Sequence, residues 1–514
     1  MNTVNQVAGL PEWLGRHPRA ALLLALVAGL SLVLAFAPFA WRTLSIVAPA
    51  TLFILWVRAE PRAAAWRGYA FGVGFFGAGV YWIYYSLYLF GEAIAPLAAL
   101  ITAGFVLFLA LFPALLGYLL ALLGRRLALT SQLLLLMPAS WVAFEAFRSV
   151  FLTGFPWLLL GSAHVDTALA GYAPVVGVFG VSLMVALMAG VLAWGLLSQR
   201  RRGWQAAALL LFIWVLGAGL QQVNWTQPMG APVTVALLQG NVAQAEKLQP
   251  WQLPQSIQVY YDLTQQALGA ELVIWPETAV PTFYREIRDE LLWPLADQVH
   301  AAGGALIAGV FTYDDATAKL HNSIVHVDRQ QSSFYHKRRL VPFGEYLPLR
   351  KALHWLDRWM DLPMADLSPG TGDRVLQVGD WVLGPSVCYE GAYAGLVRLA
   401  LPQAHLLVNV SNDAWFGDSI APHQHLQIAR MRSVESGRDM LRATNTGISA
   451  VIDYRGRLSA VSPQFEPHVL RTSAQPRQGT TPYVRWGDAP LISLLGLMVG
   501  LALLSARRGP RAKA

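Results

Sequence analysis

The sequence predicts a multi-domain membrane protein in which an eight-helix transmembrane bundle carries an extramembrane α/β domain. Three observations lead there. The 514 residues are 55% hydrophobic and only 13% charged, against roughly 25% charged in soluble domains. Seven apolar runs precede residue 222 and another lies near the C-terminal end; a spanning helix needs about 20 such residues. Between residues 228 and 485 there is no run of that kind, and short apolar stretches alternate with helical patterns instead.

The apolar runs lie near Ala20–Ala37, Thr43–Val57, Gly68–Phe90, Ala93–Leu123, Leu133–Phe147, Ala168–Leu197, Trp204–Leu220 and Ala489–Ala506, the second and fifth being short. They divide the chain into a seven-helix bundle (1–227), a polar domain (228–485), and an eighth helix with a basic tail (486–514). The loop charges set the orientation. Arg16, Arg19, Arg58, Arg62, Arg67, Arg125, Arg126, Arg200, Arg201, Arg202, Arg507, Arg508, Arg511 and Lys513 fall on one side, and only Arg42 and Arg148 on the other. The positive-inside rule then makes both termini cytoplasmic and puts the polar domain outside, which in a bacterium is the periplasmic face of the inner membrane. Ala35-Phe36-Ala37 resembles a signal-peptidase site, but Pro38 follows it and six more apolar runs keep the chain embedded.

A net charge of +8 invites a nucleic-acid reading, and its distribution rejects it. Residues 1–227 and 486–514 hold 16 Lys and Arg against 6 Asp and Glu, whereas 228–485 hold 22 against 24. The excess flanks apolar segments, as membrane topology requires, and forms no patch for phosphate. The single cysteine, Cys388, excludes an intramolecular disulfide.

In the polar domain, strands are expected at Val233–Gln239, Leu272–Trp275, Ala305–Val310, Ser323–Val327, Trp381–Cys388, Leu406–Val410 and Ile448–Asp453. Helices are expected at Gln255–Leu268, Tyr284–Ala302 and His425–Arg442. The residues capable of chemistry then sit at strand ends, where α/β proteins place ligands.

Cys388 closes a strand and stands beside Glu390. A lone cysteine is more often a buried apolar filler than a nucleophile, unless a base or cation activates it. Glu277 follows Leu272–Trp275 and Pro276, and partial burial at a strand end would raise its pKa toward that of a useful base. Lys337 lies in Tyr335-His336-Lys337-Arg338-Arg339, where an ammonium could stabilise the oxyanion of acyl transfer. Glu345, after a Pro-Phe-Gly turn, could orient that lysine or share the base role.

Trp275-Pro276-Glu277, Tyr335-x-Lys337 with Leu340–Glu345, and Val387-Cys388-Tyr389-Glu390 resemble the Glu-Lys-Cys triad of the nitrilase (carbon–nitrogen hydrolase) superfamily. With Ser411-Asn412-Asp413-Ala414-Trp415-Phe416-Gly417, Gly154-Phe155-Pro156-Trp157 and the helix count, the whole chain resembles the apolipoprotein N-acyltransferase family. The resemblance implies an αββα sandwich for the polar domain. It implies Glu277 as general base, Cys388 as acylated nucleophile, Lys337 as oxyanion stabiliser and Glu345 as a second essential carboxylate. Tyr389 and Glu390 would shape the pocket, and Asn322, Ser411, Asn412 and Trp415 would line or support it. It further implies ping-pong transfer of the sn-1 chain of phosphatidylethanolamine, through a thioester, to the α-amino group of the lipid-modified N-terminal cysteine of a diacylglyceryl apolipoprotein, with no cofactor, metal or nucleic acid. One departure is Leu248, where the family often has tryptophan after the lysine at position 247.

Two other functions compete. A membrane-bound amidase or nitrilase would use the same triad and pass the acyl group to water. A transporter with a degenerate outer domain would not need Glu277, Lys337 and Cys388 together. Among other features, His423 and His425 form a His-x-His pair at a helix start, without a third ligand nearby. The tryptophan-rich stretch 353–360 suits an interfacial arm over the active site. Glu145 and Arg148, near the outer end of the fifth run, read equally as a structural pair or a functional charge. Asn224-Trp225-Thr226 fits a glycosylation pattern that a bacterial protein does not use.

Overall fold

The computed structural model describes residues 10–91, 93–198, 200–247, 249–346 and 367–507. The expected interfacial arm at 353–360 and the departure at Leu248 lie outside them. The chain forms two compact units, one of Met1–Tyr81, Ala99–Val223 and Trp486–Ala514, the other of Trp82–Ala98 and Asn224–Arg485.

The first unit is helical. Among the described residues three helices are long and apolar enough to cross a membrane: Ala95–Gly124, Ala168–Leu197 and Arg202–Gln221. Pro18–Val33, Leu44–Trp56 and Ala489–Ser505 are shorter apolar helices. On the third long helix Leu211, Phe212 and Val215 face outward, each at least 60% exposed, an apolar exterior of the kind a lipid-facing helix presents. Small residues set the packing between helices. A Cβ at Gly29 would fall 2.0 Å from the Phe71 carbonyl oxygen, and one at Gly74 would fall 2.3 Å from that of Leu26.

The run Gly68–Phe90 is not one helix. Pro61–Gly79 stops where Val80 leaves helical geometry at φ −129°, and a short turn at Ile83–Tyr85 leads into a π-helix at Ser86–Phe90. The apolar composition is continuous there, but the backbone is not. Glu145 and Arg148 each have structural partners. Glu145 accepts from Trp141 Nε1 at 3.1 Å and Leu160 N at 3.0 Å. Arg148 donates to the Phe155 and Trp157 carbonyls at 2.8 Å each, closing the 154–157 loop.

The second unit contains fourteen strands among the described residues: β1 Thr226–Pro228, β2 Val233–Gln239, β3 Leu272–Ile274, β4 Ala305–Asp314, β5 Lys319–Val327, β6 Ser333–His336, β7 Leu376–Val378, β8 Trp381–Val387, β9 Leu406–Ser411, β10 Met440–Thr444, β11 Ala450–Ile452, β12 Leu458–Val461, β13 His468–Ala474 and β14 Arg477–Gly479. They build two six-stranded sheets, ordered β13-β2-β3-β4-β5-β6 and β12-β11-β10-β9-β8-β7, with β1 and β14 as a separate ribbon. The centres are parallel, β2 with β3 and β3 with β4 in one sheet, β8 with β9 and β9 with β10 in the other.

Alternation along the strands fixes the layers. Val233, Val235 and Leu237 join Leu272, Ile274, Val387, Val408 and Val410 in the core between the sheets. Ala236 and Leu238 point the other way, into a core shared with Tyr260, Leu263, Leu295 and Val299 of the helices Leu253–Ala267 and Trp293–Ala301. On the far side, Leu426 and Ala429 of the helix Ala421–Ser436 pack against Leu407, Met440 and Ile452. The result is a four-layer αββα sandwich whose central strands are covered on both faces, which is why they read as continuous apolar runs.

The expected helix His425–Arg442 is corrected. It spans Ala421–Ser436 and ends at Gly437, which is left-handed at φ 65°. Met440–Thr444 then forms β10, in the middle of its sheet. The other expected long helix is interrupted by a π-turn at Arg288–Leu292.

Candidate active site

Each predicted triad residue leaves the end of a strand. Glu277 follows β3, where Trp275 still donates to the Ile307 carbonyl at 2.8 Å. The turn carrying it lies directly on β4. A Cβ at Gly309 would come 2.3 Å from the Pro276 carbonyl oxygen and 2.7 Å from Glu277 Cα, so only glycine permits this approach. Lys337 follows β6, its N–H donating to the Asn322 carbonyl of β5 at 2.8 Å. Cys388 follows β8 and has φ 52°, an unfavourable backbone for a side chain with a Cβ and one that recurs where a residue must be presented sharply.

The three converge. Lys337 Nζ is 2.8 Å from Glu345 Oε1 and 3.4 Å from Glu277 Oε1. Asn322 Nδ2 donates to Glu277 Oε1 at 2.7 Å and to Glu345 Oε1 at 3.3 Å. Glu345 Oε2 accepts from Val341 N at 2.8 Å. All four side chains are buried, Lys337 to 1% exposure. Burial works to lower the Lys337 pKa, but Glu345, Glu277 and the Cys388 sulfur carry it well above the usual lysine range. It is a fixed cation. The Cys388 thiol is pushed up to about 12, chiefly by burial and then by the charge of Glu277, while Lys337 and a hydrogen bond with Ser411 oppose the rise. The resting sulfur is therefore protonated, and it can react as a thiolate only if a base removes that proton.

Glu390 serves as a clamp. It is fully buried, with Oε2 accepting from Val387 N at 2.7 Å and the Tyr335 hydroxyl at 3.0 Å. Oε1 accepts from Arg338 N at 2.6 Å and Arg339 N at 3.0 Å. One carboxylate thus ties the end of β8 to the segment bearing Lys337. Tyr389 is half-buried, its ring edge-on to Tyr393 at 5.2 Å.

Behind the thiol lies a polar network that the sequence reading did not assemble. Ser411 donates to Asp413 Oδ1 at 2.8 Å, and Arg442 Nη2 to Asp413 Oδ2 at 2.8 Å, with Arg442 also bonding Asn409 Oδ1. His425 Nδ1 lies 2.9 Å from Asp413 Oδ1. Burial raises the Asp413 carboxyl, but Arg442 and His425 outweigh it and hold the group well below the usual carboxylate range. Arg442 enters this network because Met440–Thr444 is a strand. His425 is one of the His-x-His pair; among the described residues no three His, Cys, Asp or Glu side chains gather as a metal site.

Asn412 donates to Gln244 Oε1 and accepts from Asn445 Nδ2 at 3.2 Å, so it holds the 244–247 turn. That turn delivers Lys247, which is 1% exposed and donates to the Glu277 carbonyl at 3.2 Å and Thr278 Oγ1 at 3.3 Å. Burial lowers its pKa to about 8 against the pull of Glu277. Trp415 accepts from Ser86 Oγ at 2.6 Å through its carbonyl, and Phe416 packs edge-on to Trp82 at 4.8 Å.

Residues 28–191 match the family model described as the apolipoprotein N-acyltransferase N-terminal domain. Residues 234–480 match the carbon-nitrogen hydrolase model. An apolipoprotein N-acyltransferase of Methylococcus capsulatus is 44% identical over 95% of this chain and 97% of its own length. Those of Nitrosomonas europaea and Azotobacter vinelandii are 40% and 42% identical, over 95% and 98% of this chain and 98% of each relative. Among solved structures, a CN-hydrolase superfamily protein from Xanthomonas campestris matches 52% of this chain and 97% of its own, at 18% identity and a TM-score of 0.36.

Proposed function

Because the chain belongs to the apolipoprotein N-acyltransferase family, we propose that Cys388, Glu277 and Lys337 are the residues with which it acts. The enzyme transfers a fatty acyl chain from a membrane phospholipid to the α-amino group of the N-terminal cysteine of apolipoproteins. The observation that carries the assignment is the Lys337 ammonium bridging Glu277 and Glu345 at 3.4 and 2.8 Å, with Glu277 and Lys337 both acting electrostatically on the Cys388 sulfur.

Glu277 takes the thiol proton as the sulfur attacks the ester carbonyl. The C–S bond forms, and the carbonyl electron pair becomes an oxyanion beside Lys337. Collapse breaks the ester C–O bond, and the lysophospholipid leaves with the proton from Glu277. In the second half the α-amine attacks the thioester, Glu277 accepts its proton, and the C–S bond breaks. The thiolate recovers that proton, leaving an amide. Glu345 and Asn322 hold Lys337 and Glu277 in register, and Glu390 fixes the Cys388 strand end against them.

The donor is phosphatidylethanolamine and the acceptor carries a diacylglyceryl cysteine. The chain is an inner-membrane protein with eight spanning helices, divided as 1–227, 228–485 and 486–514. Its catalytic domain is periplasmic and both termini are cytoplasmic; the basic residues on one set of loops support that orientation. Both substrates are lipid-anchored, so a site at the bilayer surface converts two encounters in three dimensions into encounters in two. Mass spectrometry of the intact enzyme after exposure to phosphatidylethanolamine should show one acyl adduct on Cys388 that disappears when a diacylated lipopeptide is added. Release of free fatty acid alone, or an adduct that survives Cys388→Ala, would overturn the assignment.

A further inference from the structure

We infer that His425 is a positioning residue for the acylation step, acting through the Cys388 carbonyl. The inference rests on the reading of Cys388 as nucleophile. His425 Nε2 lies 3.2 Å from the Cys388 carbonyl oxygen, and Asn409 Nδ2 donates to the same oxygen at 3.4 Å. Histidine is 1% exposed and so is Asn409. Neither is loose. Asn409 Nδ2 also bonds Ser386 Oγ at 3.0 Å, and its Oδ1 accepts from Arg442. His425 Nδ1 is set against Asp413 Oδ1 at 2.9 Å and Arg442 Nη2 at 3.0 Å.

Geometry gives this contact its consequence. A peptide unit is planar and trans, so the C=O of one residue and the N–H of the next point in opposite directions. Fixing the Cys388 oxygen from the side of His425 and Asn409 therefore aims the N–H of residue 389 away from them. Cys388 itself is held in the strained left-handed region at φ 52°, so its neighbouring peptide is built into a tight, fixed turn. Asn409 donates to the carbonyl, and so does His425 in the tautomer that carries its hydrogen on Nε2 and accepts from Arg442 at Nδ1; together they oppose rotation of the 388–389 peptide. The N–H of residue 389 adjoins the reacting sulfur covalently, so a flip would remove a donor from the space where the oxyanion develops, beside Lys337.

The test uses the single cysteine. Full-length enzyme grown with [1-13C]cysteine carries its label on the Cys388 carbonyl alone. Isotope-edited infrared spectra should place the wild-type band at the low frequency of a doubly hydrogen-bonded carbonyl. His425→Phe should move it upward and slow thioester formation from phosphatidylethanolamine roughly 100-fold, as loss of one oxyanion donor does, with KM for the phospholipid unchanged. His425→Gln keeps an N–H at the ε position and should restore most of both. A wild-type band at the frequency of a free carbonyl overturns the inference without any variant. So does His425→Phe acylating at the wild-type rate, or His425→Gln as slow as His425→Phe. Acyl labelling of Cys388→Ala would instead overturn the nucleophile assignment, a separate outcome.

Discussion

The Lys337 ammonium stands 2.8 Å from Glu345 Oε1, and the two side chains are 1% and 8% exposed. A buried pair of this kind contributes little over an apolar substitute, but removing one partner strands the other. Every group facing the Glu345 carboxylate is a donor: Lys337 Nζ, Asn322 Nδ2 and Val341 N. Glu345→Gln would turn an amide NH2 toward one of them and leave Lys337 with Glu277 alone. The expected loss is about 3 kcal/mol of stability together with slower thioester formation, because Lys337 shifts toward Glu277, the base we propose. Denaturant unfolding of the full chain in detergent measures the first; a change within about 0.5 kcal/mol, ordinary for a surface site, would show the pair is not as buried as described.

Cys388 reactivity should carry the mark of its surroundings. An ordinary thiol titrates near about 8.5, whereas this one is raised to about 12. Only the thiolate alkylates. The rate of iodoacetamide modification should therefore keep climbing with pH beyond about 9, where an exposed cysteine levels off. The alkylation rate of native enzyme against pH, read by mass spectrometry at the sole cysteine, checks it. A plateau near the ordinary value would mean that the sulfur is solvated.

Glu277→Gln separates the base from the field. The Glu277 charge raises the Cys388 pKa, second only to burial. Neutralising it should lower that pKa and bring the rise in alkylation to lower pH. Acylation should nevertheless fall by about 10²–10⁴-fold, the usual contribution of a general base. The two assays move in opposite directions only if Glu277 takes the proton. A variant that loses acylation and alkylation in parallel has lost its fold, not its base.

Glu390 accepts four hydrogen bonds from Val387 N, Tyr335 Oη, Arg338 N and Arg339 N. Tyr335 can rotate its hydroxyl, but backbone N–H groups cannot. In either orientation, Glu390→Gln faces an NH2 toward at least one buried N–H. An unsatisfied buried donor costs about 1–3 kcal/mol, so this near-isosteric change should lower Tm by several degrees and loosen the β8 end. An unchanged melting curve would refute the clamp.

What could be read from the sequence follows a physical line. Glu277 and Cys388 were legible because an apolar strand stops at each, and a polar group at such a stop stands out. Lys247 was not, since nothing local distinguishes a buried lysine from a surface one; only the fold brings it to the Glu277 carbonyl. The Asp413–Arg442 pair was hidden by the overrun helix. Residues 425–442 have no proline, and the sole punctuation is Gly437, which also occurs inside helices. The break after Gly79 was hidden in the same way, because hydropathy registers composition and not the φ of Val80.

Gly437 itself can be tested. It is left-handed at φ 65°, and a Cβ there would meet Thr226 Cγ2 at 2.7 Å and Thr481 Cγ2 at 3.3 Å. Both threonines are buried and committed, Thr226 Oγ1 to the Gly437 carbonyl at 2.8 Å and Thr481 Oγ1 to the Glu435 carbonyl at 2.7 Å. Gly437→Ala therefore meets two costs, about 1–2 kcal/mol for the left-handed backbone and a further amount for the clash with short side chains that cannot swing aside. Gly437→Asn separates them, since asparagine tolerates this conformation but is larger. If strain dominates, Asn should be milder than Ala; if packing dominates, Asn should be worse. The distances favour packing, so the predicted order of Tm is Gly, then Ala, then Asn. An asparagine variant as stable as wild type would show that the helix end is not pressed against Thr226, and that the turn into β10 is set by backbone preference alone.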